Sequence, residues 1–334
     1  LAAGPAAWTE VRAAITSWLT ENRFRSTVEP MLRPLAEAHP VLPFTVADYV
    51  DFYASEHHAG NVGAIFRPGS DPLTPNWKHL PIGYHGRAGT VVVSGTEVRR
   101  PRGQRRAGDD ITFGPSTRLD IEAEVGFVVG TGADSPIPVG AFAEHVFGVV
   151  LLNDWSARDI QAWEYVPLGP FLGKSFATSI SAWITPLAAL ESARVPAVER
   201  SPEPLPYLQE PEPSWNLDLA IEVYLNGELI SRPPYRTMYW TPAQMLAHLT
   251  VNGATARTGD LFGSGTVSGP ERDQRGSLLE LSWGGQQPLA IPGGRQVTFL
   301  QDGDEVVLRA TAPGPGGCRV GVAEVAGRIV PGQP

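Results

Sequence analysis

Cysteine is nearly missing from this chain, which holds only Cys318. No disulfide can close within it, and zinc sites of the multi-cysteine kind are excluded. No apolar run approaches the roughly 20 residues that a membrane helix needs. Positive charge is scarce too: 26 Lys and Arg stand against 35 Asp and Glu, for a net charge of −9. That balance argues against nucleic-acid backbones and anionic membranes as partners. A reducing, cytoplasmic setting fits. The start, Leu1-Ala-Ala-Gly-Pro, matches neither a signal peptide nor a natural initiator and reads as a chain cut at its front. There is no internal repeat and no low-complexity tract.

What is present suits a globular body. The chain has 334 residues, 42% hydrophobic and 18% charged, enough for one large or two smaller domains. Its 36 glycines and 32 prolines predict many turns and few long helices. Trp8, Val11, Ile15, Trp18 and Leu19 recur at helical spacing, so residues 6–20 read as an amphipathic helix. Residues 21–43 read as a connector with a short helical turn. Beyond them the pattern is mainly β. Residues 91–98 suggest two strand pieces about a turn, residues 121–129 a strand, and 147–152 a buried strand that delivers Asn153 and Asp154. Residues 217–225 followed by Asn226-Gly227 give a hairpin signal. Late strands are expected at 278–283, 304–310 and 319–330. One helix follows Ser156, and another starts at Thr241-Pro242. Residues 192–215, with six prolines, read as a surface loop. The compact α+β body is expected to run from about residue 41 to the end.

Chemistry concentrates in a few places. Residues 51–67 hold Asp51, Tyr53, His57, His58 and Arg67, with little helix or strand patterning. Glu122 and Glu124 stand two apart on a strand, so both leave one face. Such a pair most often points into solvent. Asp154 at the end of an apolar strand, and Asp51, shift the balance toward a hard, all-oxygen site for Mg²⁺, Ca²⁺ or Mn²⁺. Arg158, Gln161 and Tyr165 fall on one helix face. Lys174, set among Phe171, Leu172 and Phe176, is a poor candidate for a free surface charge. Of seven histidines, His57 and His58 lie in the first block, and His79 and His85 flank Leu80–Tyr84. His39, His145 and His248 have no supporting context, and a lone histidine is more often structural.

These blocks together resemble the fumarylacetoacetase family over residues 41–334. The matching stretches include Asp48–Tyr53 through His58–Gly63, Pro75-Asn-Trp77 to Gly83–Arg87, Val93–Pro101, Asn153–Asp159, Trp163–Ser175, Ser264–Gly269 and Leu279–Trp283. The Asn-Asp-x-Ser-Ala-Arg-Asp signature is shared by a wide superfamily of hydrolases, decarboxylases, hydratases and isomerases. The Tyr-Val-Pro-Leu-Gly-Pro-Phe and Gly-Tyr-His-Gly-Arg blocks look specific to this family.

The resemblance implies a mixed β-roll or sandwich catalytic domain over 41–334. Residues 1–40 would then be the exit helix and linker of an SH3-like barrel, most of which the chain lacks. It implies a divalent ion on Asp51, Glu122, Glu124 and Asp154, with a second, structural cation near Lys174 and Thr178. A charged lysine could offer that second ion only its backbone carbonyl. His58 would be the base, oriented by Glu280, while Arg158, Gln161 and Lys174 hold developing negative charge. Tyr53, Arg67, Tyr84, Gln161, Tyr165 and Thr266 would grip the substrate, a small diketo dicarboxylic acid. The implied activity is hydrolysis of the carbon–carbon bond of fumarylacetoacetate in tyrosine and phenylalanine breakdown, by a homodimer. Two rivals stand beside it. An acylpyruvate hydrolase or oxaloacetate decarboxylase would share the carboxylates without needing the tyrosine–arginine grip. A non-catalytic metal-binding module would be expected to have lost His58 or Glu280, and both are present.

Overall fold

The computed structural model describes residues 1–333 except Glu212 and Gly293; Glu212 in the proline-rich loop, Gly293 and the terminal Pro334 lie outside the described residues. Two sheets carry the body. The larger has eight strands: β1 (Asp48–Phe52), β2 (Gly83–His85), β3 (Val91–Val93), β5 (Ala123–Val129), β6 (Val146–Asp154), β7 (Thr178–Ile180), β8 (Thr185–Pro186) and β11 (Asp260–Gly263). Its order is β2-β1-β11-β5-β6-β7-β3, with β8 against β6. The second is β10 (Glu228–Ser231), β9 (Ala220–Leu225), β12 (Glu305–Pro313), β13 (Arg319–Val330) and β4 (Val98–Arg99), in that order.

The burial of each sheet follows from its sequence. Every residue of β5 is buried, as are all but one of β6, because these central strands are covered on both faces. A strand wet on neither side has no reason to alternate, and Val149–Leu152 is uniformly apolar. In β9 and β12 buried and exposed positions alternate instead, the mark of a sheet with one solvated face. Between β9 and β10, Asn226 and Gly227 both take positive φ, 53° and 85°, as the two-residue hairpin turn requires.

Helices fill the gaps. They include α1 (Gly4–Thr20), α2 (Glu56–Phe66), α3 (Arg158–Glu164), α4 (Pro242–Thr250) and α5 (Leu278–Leu281). Thr241 and Gln244 close a capping box on α4, whose Met245 and Leu246 are fully buried. The helix α1 touches the body through Trp8, edge-on to Phe147 at 5.2 Å. The rest of its apolar stripe, Val11, Ile15, Trp18 and Leu19, is exposed. Among the described residues no helix is long and apolar enough to cross a membrane.

Four expectations need correction. Residues 278–283 hold a helical turn, not a strand. Ser277 caps it by accepting the Glu280 N–H, and Asp120 accepts the N–H groups of Leu278 and Leu279. The block 51–67 is not unpatterned: it is the end of β1 followed by α2, which Ser55 caps through the His58 N–H. The strand expected at 121–129 starts only at Ala123. Residues 91–98 do form two strand pieces about a turn, in different sheets, β3 pairing with β7 and β4 with β13. The proline-rich loop contains one short strand, Arg194–Pro196, paired to Trp215–Leu217.

Register then gathers the acids. β1 runs parallel to β11 with Asp51 opposite Gly263, and β11 runs antiparallel to β5 with Gly263 opposite Gly126. On β5 and β6, Glu124 faces Leu152, two residues from Asp154. Three carboxylates thus reach one end of one sheet, and Glu122 enters just before β5.

Candidate active site

Asp51, Glu122, Glu124 and Asp154 are all buried, and one ligand atom from each lies within 4.8 Å of all the others. Four carboxylates so close repel one another strongly in a dry interior. Burial, together with Asp154 and Glu122, pushes the Asp51 carboxyl well above its ordinary range. Burial and the charge of Asp51 do the same to Glu124. Asp51 Oδ1 and Glu124 Oε1 are buried without a hydrogen-bond partner. Gly263 keeps any side chain out of the space beside Asp51 Oδ1 and Glu124 Oε2. Hard oxygen donors with unclaimed lone pairs around such a gap fit a divalent cation.

Cations line the other side. Lys174 Nζ contacts Glu122 and lies 2.7 Å from Asp154 Oδ2. Arg158 Nη1 lies 2.8 Å from Glu122 Oε1. Burial works to raise the Glu122 pKa, yet Lys174, Arg158 and His58 outweigh it and hold that carboxyl below its usual range. Burial works to lower Lys174, and Asp154 and Glu122 reverse it, so the ammonium is firmly charged. Tyr84 donates to Asp154 Oδ2 at 2.8 Å, with Asp51 Oδ2 at 3.1 Å.

His58 Nδ1 sits 2.7 Å from Glu280 Oε2, both residues buried. Its other nitrogen, Nε2, lies 3.9 Å from Glu122 Oε1 and faces the cluster. Glu280 also accepts from Asn61 Nδ2 at 2.9 Å, from Ser277 Oγ at 2.8 Å and from Ser268 Oγ at 3.0 Å. Burial would raise its carboxyl, but His58 and these donors bring it below the ordinary value. An ionised carboxylate behind an imidazole fixes its tautomer and supports its protonated form.

A cavity of about 470 Å³ opens beside these groups. His58, Tyr84, Arg158, Gln161 and Lys174 line it together with Asp51 and Glu122. Tyr53, Arg67, Tyr165 and Thr266 form further parts of its wall. Tyr53 meets the His58 ring edge-on at 5.4 Å, and Tyr165 stacks on Phe66 at 6.3 Å. Thr266 Oγ1 is buried with no partner, and Arg67 donates to the Pro72 carbonyl at 2.8 Å. Tyr84 lines the same cavity while its hydroxyl reaches Asp154 and Asp51. Lys174 Nζ and Thr178 Oγ1 both turn to Asp154, Thr178 donating at 3.1 Å. His57, neighbour of His58, is half-buried and does not line the cavity.

Several residues that hold this site drew no attention as residues of a role. Asn61, Ser268 and Ser277 grip Glu280, while Asn153 Oδ1 accepts the Glu122 N–H at 3.1 Å. Glu164 accepts three backbone N–H groups from 171–173, which anchors the loop ahead of Lys174. Asp120 accepts from Arg158 Nε at 2.8 Å.

Comparison with known proteins shows the family. The family model described as fumarylacetoacetate (FAA) hydrolase C-terminal matches residues 48–323. A protein of Arabidopsis thaliana named fumarylacetoacetase is 47% identical over 355 residues, covering 100% of this chain and 82% of that one. The Homo sapiens protein of the same name is 47% identical, covering 98% of this chain and 81% of its own length. Among solved structures, a 5-carboxymethyl-2-hydroxymuconate delta-isomerase of Mycobacterium smegmatis has a TM-score of 0.55 at 16% identity, covering 90% of this chain and 86% of that one. A fumarylacetoacetate hydrolase of Exiguobacterium antarcticum has a TM-score of 0.55 at 17% identity, covering 87% and 78%. Those structures speak to the fold alone. With the family model matching residues 48–323 and relatives 47% identical over nearly the whole chain, this chain belongs to the fumarylacetoacetate hydrolase family.

Proposed function

We propose that the chain is a hydrolase that cleaves the carbon–carbon bond of fumarylacetoacetate, giving fumarate and acetoacetate. The observation that carries this reading is the His58–Glu280 pair facing the four-carboxylate cluster across one cavity. The relatives named fumarylacetoacetase, 47% identical over nearly the whole chain, supply the substrate.

The reaction has two difficulties: making a nucleophile from water near neutral pH, and stabilising the carbanion-like leaving group. His58 answers the first. With Nδ1 turned to Glu280, Nε2 takes the proton of a water as its oxygen attacks the carbonyl carbon. The carbon–carbon bond then breaks, and its electron pair leaves on the acetoacetate fragment as an enolate. The proton on Nε2 returns to that fragment, so the base is regenerated. Glu280 stabilises the imidazolium in between. Arg158, Gln161 and Lys174 sit where negative charge develops, and one such donor is worth about 10²–10³ in rate. Tyr53, Arg67, Tyr84, Tyr165 and Thr266 orient the substrate and its carboxylates.

Asp51, Glu122, Glu124 and Asp154 would hold a divalent ion, Mg²⁺, Ca²⁺ or Mn²⁺, which when bound supplies Lewis-acid polarisation of the diketone oxygens. Residues 41–334 act as the catalytic unit, with 1–40 as helix and linker. The protein works as a cytoplasmic homodimer on a small diketo dicarboxylic acid.

The test is steady-state hydrolysis of fumarylacetoacetate against acylpyruvates, with each of the three ions. Preference for fumarylacetoacetate is expected. Faster turnover of acylpyruvates, or none of either substrate, would sink the proposal.

A further inference from the structure

We infer that Asp120 is a positioning residue that locks the cation facing the substrate to the helix carrying the carboxylate partner of His58. The inference rests on the hydrolytic reading above.

The carboxylate of Asp120 is fully buried and ties together three elements. Its Oδ2 accepts from Arg158 Nε at 2.8 Å, at the start of α3. It also accepts the N–H of Leu279 at 3.0 Å through Oδ2 and that of Leu278 at 2.7 Å through Oδ1. These are the first two N–H groups of α5, which carries Glu280. Its third tie, Ile121 N–H to Oδ1 at 2.7 Å, stiffens the segment that enters Glu122.

A bland account would make Asp120 a cap for a short helix. A cap needs no charge, and a serine or asparagine would serve there at less desolvation cost. The guanidinium explains the charge. Arg158 is held at two corners, Nε by Asp120 and Nη1 by Glu122 at 2.8 Å, with the Gln161 Oε1 at 3.1 Å from Nη1. The third corner, Nη2, is buried and has no partner, and Arg158 lines the cavity. A guanidinium is planar and rigid, so fixing two nitrogens fixes the third. Asp120 and Glu122 therefore leave one preset donor for the substrate. The same Asp120 also sets the height of α5, and with it the 2.7 Å contact between Glu280 and His58.

Asp120→Asn keeps the shape and one acceptor while removing the charge. It should lower kcat about 10-fold or more with KM within about twofold, since an interaction made in the transition state is lost. A purely structural role would lower the melting temperature and leave kcat per folded site unchanged, and that outcome overturns the inference. A second readout needs no turnover. The proton between His58 and Glu280 should give a downfield resonance in the one-dimensional proton spectrum, and Asp120→Asn should shift it. An unmoved resonance in a folded Asp120→Asn protein counts equally against the idea. Wild-type turnover reports on the hydrolytic reading separately.

Should Asp120→Asn fail to fold, Arg158→Ala decides. Added guanidinium can bridge Asp120 and Glu122 and should restore part of the rate, whereas methylammonium, with one nitrogen, should not. Equal rescue by both ions, or by neither, overturns the inference.

Discussion

A Cβ built on Gly263 would lie 2.7 Å from Oδ1 of Asp51, and 2.8 Å from Oε2 of Glu124. The glycine at that register is therefore what lets two carboxylates from the strands flanking β11 share one space. Gly263→Ala should fold with a stability loss of about 1–3 kcal/mol, typical of overpacking. Its metal content should fall well below that of the wild type, with hydrolysis lost in proportion. Elemental analysis and steady-state assays check this; wild-type metal binding in Gly263→Ala would show that the gap is not the ion's.

Metal removal should silence the enzyme. Excess chelator is expected to abolish hydrolysis, and Mg²⁺, Mn²⁺ or Ca²⁺ to restore it. Because an ion that binds only the folded chain stabilises it, unfolding should also become concentration-dependent, by about 2.7 kcal/mol at a hundredfold excess over Kd. Full activity in chelator, from protein free of metal, refutes the cluster's role.

The depressed carboxyl of Glu280 makes a signed prediction about pH. Burial opposes its ionisation, but His58, Asn61 and Ser277 prevail and keep its folded value below the ordinary one. A group of this kind adds stability above its unfolded value, about 4.3 for glutamate, and loses it as pH falls through the folded value. Denaturant unfolding of wild type and Glu280→Gln, compared at pH 7 and below pH 4, should show a stability gap that narrows on acidification. A gap that widens would contradict the sign of the shift.

The legible parts of this protein were those where chemistry interrupts an apolar pattern. Asp154 ends the run Phe147–Leu152, and Glu124 breaks an otherwise apolar strand, so both stood out against their neighbours. Glu122 joined them through its spacing from Glu124, and Asp51 through the polar block 51–67. The turn at 278–281 was misread because Leu-Leu-Glu-Leu fits a short strand as well as a helix, and only its capping by Ser277 and Asp120 decides. Asp120 and Ser268 were invisible for another reason. Neither acts through a partner that local pattern reveals: Asp120 and Leu278 stand 158 places apart, and Ser268 and Glu280 12.

The last prediction separates two adjacent histidines. His57 and His58 lie on α2, where successive residues are about 100° apart, so their side chains diverge. The helix, rather than an extended segment, is what turns His58 to Glu280 and leaves His57 outside the cavity. His58→Ala should lose about 10²–10⁴ in kcat with KM little changed, as removal of a base predicts. Glu280→Gln should also be severely impaired, because an amide cannot support the imidazolium. His57→Ala should stay within about twofold of wild type, as expected for a change away from the reacting atoms. Single-turnover rates on the three variants decide the matter. If His57→Ala were the inactive one, the base would have been assigned to the wrong face of the helix.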